Sequence, residues 1–261
     1  ELIALSDRMV ADGNTPWCIG IESGNATGWT ATDWMEDIML RTASPAKYDQ
    51  WVSNELPFNS PEVINAMNVF GQFSKNDDYV AGGASSVATT SFGDAPKGLF
   101  TSPPSCMMHR QASFITGFFP NKGKEVADGD ADAFYFPPFA SEDLGNPVLG
   151  AGTLYTITKD SPATRAFIKF LQEPAAHEAW MQQGVFLTAH KGADLDAYAT
   201  PLLSKQGQIL SNATTFRFDA SDLMPGAIGA GAFWSEMTAF ANGQDTKTTA
   251  DNIQAAWDAI K

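Results

Sequence analysis

Three prolines punctuate the chain where helices are set to begin: Ser60-Pro61, Ser161-Pro162 and Glu173-Pro174. Proline's fixed φ suits the first helical turn, where its missing N–H has no partner to lose, and a preceding serine accepts from the N–H groups that follow. Val63, Met67 and Phe70 then recur at helical spacing after Pro61. Residues 161–184 read as two consecutive helices, the second ended by Gly184. Between such helices lie short runs of strand composition: WCIGIES (17–23), GLFTS (98–102), FYFPPF (134–139) and VLGAGTLYTIT (148–158). Strands that alternate with helices in this way place the chain in the α/β class.

The remaining segments fit the same pattern. Residues 30–44 predict a helix with Thr30 as N-cap, Asp33 as its capping partner, and Trp34, Ile38 and Arg41 on one face. Pro103 and Pro104 end the GLFTS run, and Ser105 starts a helix through Phe118. A glycine-rich turn precedes a helix that begins near Phe233, and residues 249–261 form the last helix. Leu2, Leu5 and Met9 have helical spacing with no capping residue ahead of them, the pattern expected of a piece cut from a longer chain. Residues 130–147, DADAFYFPPFASEDLGNP, have the composition of a crossing from one lobe to another.

A formal net charge of −14 repels phosphate backbones and anionic membranes, so nucleic acid is an unsuitable partner. No apolar run reaches the roughly 18 residues needed to cross a bilayer, and the first residues lack the pattern of a signal peptide. The two cysteines and three histidines show no zinc-ligand spacing, and no nucleophile elbow, P-loop or complete dinucleotide fingerprint occurs. No cofactor or metal is implied. The adjacent carboxylates Glu36 with Asp37, and Asp77 with Asp78, read as solvated faces rather than as an acid–base pair, so nothing here points to an enzyme. Cys18 and Cys106 admit two readings: two buried free thiols, or a disulfide closing a loop of about 90 residues in an oxidising compartment.

The unusual feature is a pair of tryptophans at helix mouths. Trp29 follows GNATG, and Trp234 follows GAIGAG, which contains Gly231. Glycines there let the backbone approach a ligand, and an indole face stacks on the C–H face of a sugar ring. Glu22, Asn25, His109, Arg110 and Asp222 are available to bind hydroxyls.

The order of these pieces resembles that of the solute-binding proteins of ABC sugar importers, the family that includes maltose-binding protein. GDAPKGLFTSPPS, FYFPPF, the run from VLGAGTLYTIT to the paired helices, and the closing segment from DLMPGAIGAGAFW onward carry the likeness over nearly the whole chain. GNATGW, PPSCMMHRQASF and DLMPGAIGAGAFW are most similar to the α-glucoside-binding branch. The resemblance implies a type II periplasmic-binding-protein-like α/β fold of two lobes, with residues 1–136 and 206–261 in the second lobe and 141–205 in the returning part of the first. It implies a neutral di- or oligosaccharide, above all an α-glucoside, held in an interlobe cleft and delivered to ABC permease subunits from a periplasmic location. Trp234 would stack on a sugar ring, with Trp29 near a second stacking position and Glu22 accepting hydroxyls. Met107, His109 and Arg110 would form a polar cleft wall, with Cys106 tied to Cys18 beneath it. The alternatives are a secreted carbohydrate-active enzyme, with Glu22 and Asp222 facing each other across a pocket, or a binding protein for a polyamine or peptide.

Overall fold

The computed structural model of the chain describes residues 1–121, 129–139, 142–184 and 186–261. Its internal contacts define two units: Glu1–Gln111 with Phe136–Gly150 and Thr214–Lys261, and Ala112–Tyr135 with Ala151–Ala213. Within the proline-rich boundary stretch, residues 140 and 141 lie outside the described residues.

In the first unit, helix α1 (Leu2–Ala11) lays Leu2, Leu5 and Met9 against the core, as their spacing requires. Its buried Ser6 hydroxyl accepts the Trp17 indole N–H at 2.9 Å. Residues 17–23 are flanked on both sides, but they form only isolated bridges, Trp17 with Val80 and Met108, and Glu22 with Ser91. The flanking chain turns through a 3-10 segment at Ala84–Ser86, so no continuous ladder forms.

Helix α2 (Trp29–Thr42) begins one residue before the expected cap. Gly28 takes the N-cap place at φ 108°, Thr30 instead donates to the Gly20 carbonyl, and Asp33 turns into the interior. Helix α3 (Pro45–Val52), which the apolar spacing did not mark, is capped by the Ser44 hydroxyl and buries only Tyr48 and Trp51. Helix α4 (Pro61–Ser74) starts at Pro61 as expected, and its Phe70 and Phe73 pack on the Trp34 ring of α2.

Two expected elements are replaced. Residues 98–102 form no strand, because Ala95–Phe100 is a 3-10 turn, and the helix expected from Ser105 is reduced to a 3-10 segment, Ser113–Phe118. The cause lies in the Cys18–Cys106 disulfide (Cα–Cα 5.4 Å), which holds residue 106 in the core; Gly98 sits so close beneath it that a Cβ there would lie 2.4 Å from the Cys106 sulfur. FYFPPF also forms no strand. Phe136 stands edge-on to Trp34, beneath the Arg41 guanidinium, and its carbonyl accepts from Arg41 Nε at 3.0 Å.

Strand β1 (Pro147–Gly150) leads into the second unit, where helices α5 (Pro162–Leu171) and α6 (Pro174–Met181) start at their prolines. Ser161 accepts from Thr164 N, and Gly184 follows α6 at φ 79°, both as expected. Helix α7 (Pro201–Ser211) is capped by Thr200, and a small core of Met181, Ala193, Tyr198 and Leu203 holds the unit.

The chain returns to the first unit at β2 (Thr215–Phe218), which pairs in parallel with β1, Val148 opposite Phe216. The four-residue helix α8 (Ala220–Leu223) follows, then a π-helical segment (Ala227–Phe233) that runs directly into α9 (Trp234–Ala241). Helix α10 (Thr246–Ile260) starts three residues earlier than its apolar spacing suggested, because Asp245 caps it.

Candidate ligand-binding site

All eight residues singled out for ligand contact lie in the first unit. Glu22, Trp29, Gly231 and Trp234 come from segments that meet at one point. Gly28, the N-cap of α2, packs so tightly on the first residue of α9 that an added Cβ would lie 2.1 Å from the Trp234 carbonyl oxygen. The first turns of two helices, each opened by a tryptophan, are thereby pressed together. The Trp29 ring meets Phe92 edge-to-face at 5.2 Å, and the Phe92 amide donates to the Glu22 carbonyl. Phe92 was not legible as a site residue, since a lone phenylalanine in a Gly/Ala/Ser stretch carries no signal. Trp29 and Trp234 are half-buried, and the Trp234 indole N–H, buried itself, has no hydrogen-bond partner among the described residues. Glu22 Oε1 accepts from Gly24 N at 2.7 Å, which fixes the small-residue loop ahead of Trp29.

Gly231 itself has room around it, whereas a Cβ on Gly229 would lie 1.8 Å from the Ser221 carbonyl. The glycine that the local packing demands is therefore Gly229, which clamps the π-helical segment onto α8. Asp222 is exposed on α8, and its amide donates to Asp219.

Met107, His109 and Arg110 follow the disulfide. The Met107 amide reaches the Pro16 and Thr15 carbonyls, and its side chain packs against the core. His109 Nδ1 donates to the Cys18 carbonyl at 2.7 Å, which fixes the neutral tautomer with the proton on Nδ1. Nε2 is then a buried lone pair with no partner among the described residues, and burial holds the imidazole pKa down at about 4. Arg110 is engaged by α2: Nη2 lies 3.1 Å from Asp37 Oδ2, and Nη1 lies 3.8 Å from Asp33 Oδ2.

The reading of Glu36 and Asp37 as a solvated face is overturned, for both are buried; Asp77 and Asp78 are exposed, as that reading requires. Asp37 is neutralised by Arg41 and Arg110. Glu36 accepts from the amides of Ala220 and Ser221, both at 3.0 Å, and so ties α2 to α8. Carboxylate oxygens of Asp33, Glu36 and Asp219 lie within 4.8 Å of one another. Desolvation first, and then mutual repulsion with Asp219, push Asp33 and Glu36 well above the usual carboxylate range. Such a trio is the one constellation with metal-type donors among the described residues, but both Glu36 oxygens already accept backbone amides, and Asp219 Oδ1 accepts from the Ser221 hydroxyl and the Asp222 amide. No sequence periodicity announces it, because Asp219 is brought in from the far end of the chain.

No family model matches the chain. Over 262 aligned residues, all of this chain, it is 59% identical to the alpha-glucosides-binding periplasmic protein AglE of Rhizobium meliloti, of which it spans 57%. It is 46% identical over 98% of its length to the osmoprotective compounds-binding protein GgtB of a Synechocystis species, of which it spans 60%. The chain thus spans less than two thirds of the length of these curated relatives. Among solved structures, a chitin oligosaccharide binding protein superposes with a TM-score of 0.77 at 16% identity, covering 97% of this chain and 62% of that one. The bacterial solute receptor AcbH, with its preference for β-D-galactopyranose, superposes at 0.81 and 16% identity, covering 99% and 64%. In sequence the chain is similar along nearly its whole length to AglE and GgtB, and its α/β fold is that of these solved binding proteins.

Proposed function

We propose that this chain is the greater part of a solute-binding protein that captures a neutral α-glucoside outside the cytoplasmic membrane and presents it to the permease subunits of an ABC importer. The observation that carries this reading is the 59% identity, over the whole chain, to an α-glucoside-binding protein. The geometry supports it. Trp29, Phe92 and Trp234 offer apolar ring surface around a contact of two helix starts, beside a carboxylate and an unused indole donor, the combination that suits a sugar's C–H faces and hydroxyls. Binding of this kind needs stacking area and satisfied hydroxyls but no reactive group, and ligand affinity then biases a conformational equilibrium. In this reading the first unit corresponds to the second lobe and the second unit to the returning part of the first, the protein acts as a receptor rather than an enzyme, and Met107, His109, Arg110, Asp222 and Gly231 shape the ligand's surroundings.

The test is a tryptophan-fluorescence titration with maltose, trehalose, sucrose and a galactoside, on this chain and on the full-length protein. Saturation by glucosides in the full-length protein, abolished by Trp234→Ala, is the expected result. Silence toward every sugar in both forms ends the α-glucoside reading. A second reading, an osmoprotective solute, is favoured by the 46% identity to GgtB; saturation by a non-sugar osmolyte such as glycine betaine, with no glucoside response, would establish it.

A further inference from the structure

The chain passes out of the first unit after Gln111 and after Gly150, and returns to it at Phe136 and at Thr214. Three of these four places lead back to one buried carboxylate of that unit, Asp37 on α2. Arg110 stands next to the first exit, with Nη2 and Nε 3.1 and 3.2 Å from Asp37 Oδ2. Arg41, one turn further along α2, donates through Nη1 to Asp37 Oδ1. The rest of its guanidinium faces the other crossings: Nε donates to the Phe136 carbonyl at 3.0 Å, and Nη2 to the carbonyl of Pro147, the first residue of β1, at 3.3 Å. The fourth place is fastened beside the third, for Asn146 N donates to Thr214 Oγ1 at 2.8 Å and Thr214 N to the Asn146 carbonyl at 3.1 Å.

Stability alone is a poor reason for such a network. A buried ion pair can often be replaced by apolar residues of similar volume without loss, because desolvation offsets the attraction. What apolar side chains cannot supply is direction. A guanidinium holds its N–H donors in a rigid planar fork, so Arg41 fixes the carbonyls of two separate segments relative to a carboxylate on its own helix. The other end of that helix is Trp29. At the usual helical rise Asp37 and Arg41 lie about 12 and 18 Å further along, and every residue from Thr30 to Arg41 is buried, so α2 shifts as one packed body.

We infer that Asp37 and Arg41 are positioning residues: they fix to α2 the segments by which the chain leaves and re-enters the first unit, and through α2 a solute seated against Trp29 acts on those segments. The second half of this statement rests on the α-glucoside reading, and the first does not. Coupling of this kind requires a network with two arrangements, one of which the solute favours. Arg110 supplies them, since Asp33 Oδ2 lies 3.8 Å from its Nη1 and competes with Asp37 for it.

Amide hydrogen exchange of the full-length protein tests this, first without solute. Arg41→Lys keeps the charge beside Asp37 but has no fork to span both carbonyls. Exchange in β1 and β2 at least about tenfold faster than in the parent is expected, with α4 unchanged. Asp37→Asn, which keeps an acceptor for Arg41 but loses the charge, should give a smaller rise at the same amides. Unchanged exchange of β1 and β2 in both variants, or an equal rise in α4, would overturn the fastening role. The second comparison adds maltose at saturation. Maltose should slow exchange of β1 and β2 in the parent, and Arg41→Lys should lose at least about half of that slowing. Equal slowing in parent and variant, with maltose bound to both by tryptophan fluorescence, would overturn the coupling. No maltose response in any form ends the coupling together with the glucoside reading, while the comparison without solute still decides the fastening role.

Discussion

Gly28 and Trp234, more than two hundred residues apart in sequence, touch backbone to backbone: the space beside the Gly28 Cα is filled by the Trp234 carbonyl oxygen, which also accepts from the Thr238 hydroxyl at 2.9 Å. This contact sets the separation of the two tryptophans that open α2 and α9.

Gly28→Ala should therefore be costly twice over. The residue sits at φ 108°, where a Cβ is strained, and the methyl would fall 2.1 Å from the Trp234 carbonyl oxygen and 2.8 Å from the Thr238 hydroxyl. A loss of about 3 kcal/mol or more is expected in denaturant unfolding, together with a weakened fluorescence response to ligand. Gly231→Ala, where the nearest atom is 3.5 Å from the new Cβ, should cost far less.

The disulfide joins residues 88 apart and anchors the loop that carries Met107, His109 and Arg110. Reduction, or a Cys18→Ala/Cys106→Ala double substitution, should lower unfolding stability by about 3–5 kcal/mol, chiefly by freeing the unfolded chain. Guanidinium titrations with and without reductant measure it; equal midpoints would show that the core holds this loop without the bond.

His109 gives an acid limb. Its imidazole is held at about 4 by burial, below the unfolded value near 6.5, so between these pH values the unfolded chain binds the extra proton. Its contribution is complete above about pH 6.5 and is lost as the pH falls toward 4, by up to about 3 kcal/mol. His109→Asn, whose amide N–H can still donate to the Cys18 carbonyl, should flatten that limb in a series of melting curves from pH 7 to 4. An unchanged slope would assign the acid sensitivity to other groups.

Asp33 and Glu36 act in the opposite sense. Burial raises both, so the folded form keeps protons that the unfolded chain has released, and their effect on stability worsens as the pH rises above the ordinary carboxylate range. Asp33→Asn should raise stability by about 1 kcal/mol at pH 7–8 and give no gain near pH 3.5, since Arg110 retains Asp37. Glu36→Ala, by contrast, strands the amides of Ala220 and Ser221 and should destabilise by about 2–4 kcal/mol at any pH.

What the sequence determined by itself is local. The prolines at 61, 162 and 174 start their helices because proline's φ and missing N–H act within one turn, and the apolar spacing of α1 and α4 marks their buried faces. The α/β class and the likeness to solute-binding proteins were legible in the order of such pieces. The two cysteines left their pairing open from the residues alone, and only the fold joins them. Tertiary structure decided what depends on partners distant in sequence. Residues 17–23 have strand composition but neighbours that turn away, GLFTS is bent under the disulfide, and Thr30 gives up the cap to Gly28 because α9 needs the backbone close. The acidic trio and the Trp29–Phe92 contact were hidden for the same reason: burial and proximity belong to the packed chain, and a carboxylate in sequence looks the same whether water or another carboxylate will face it.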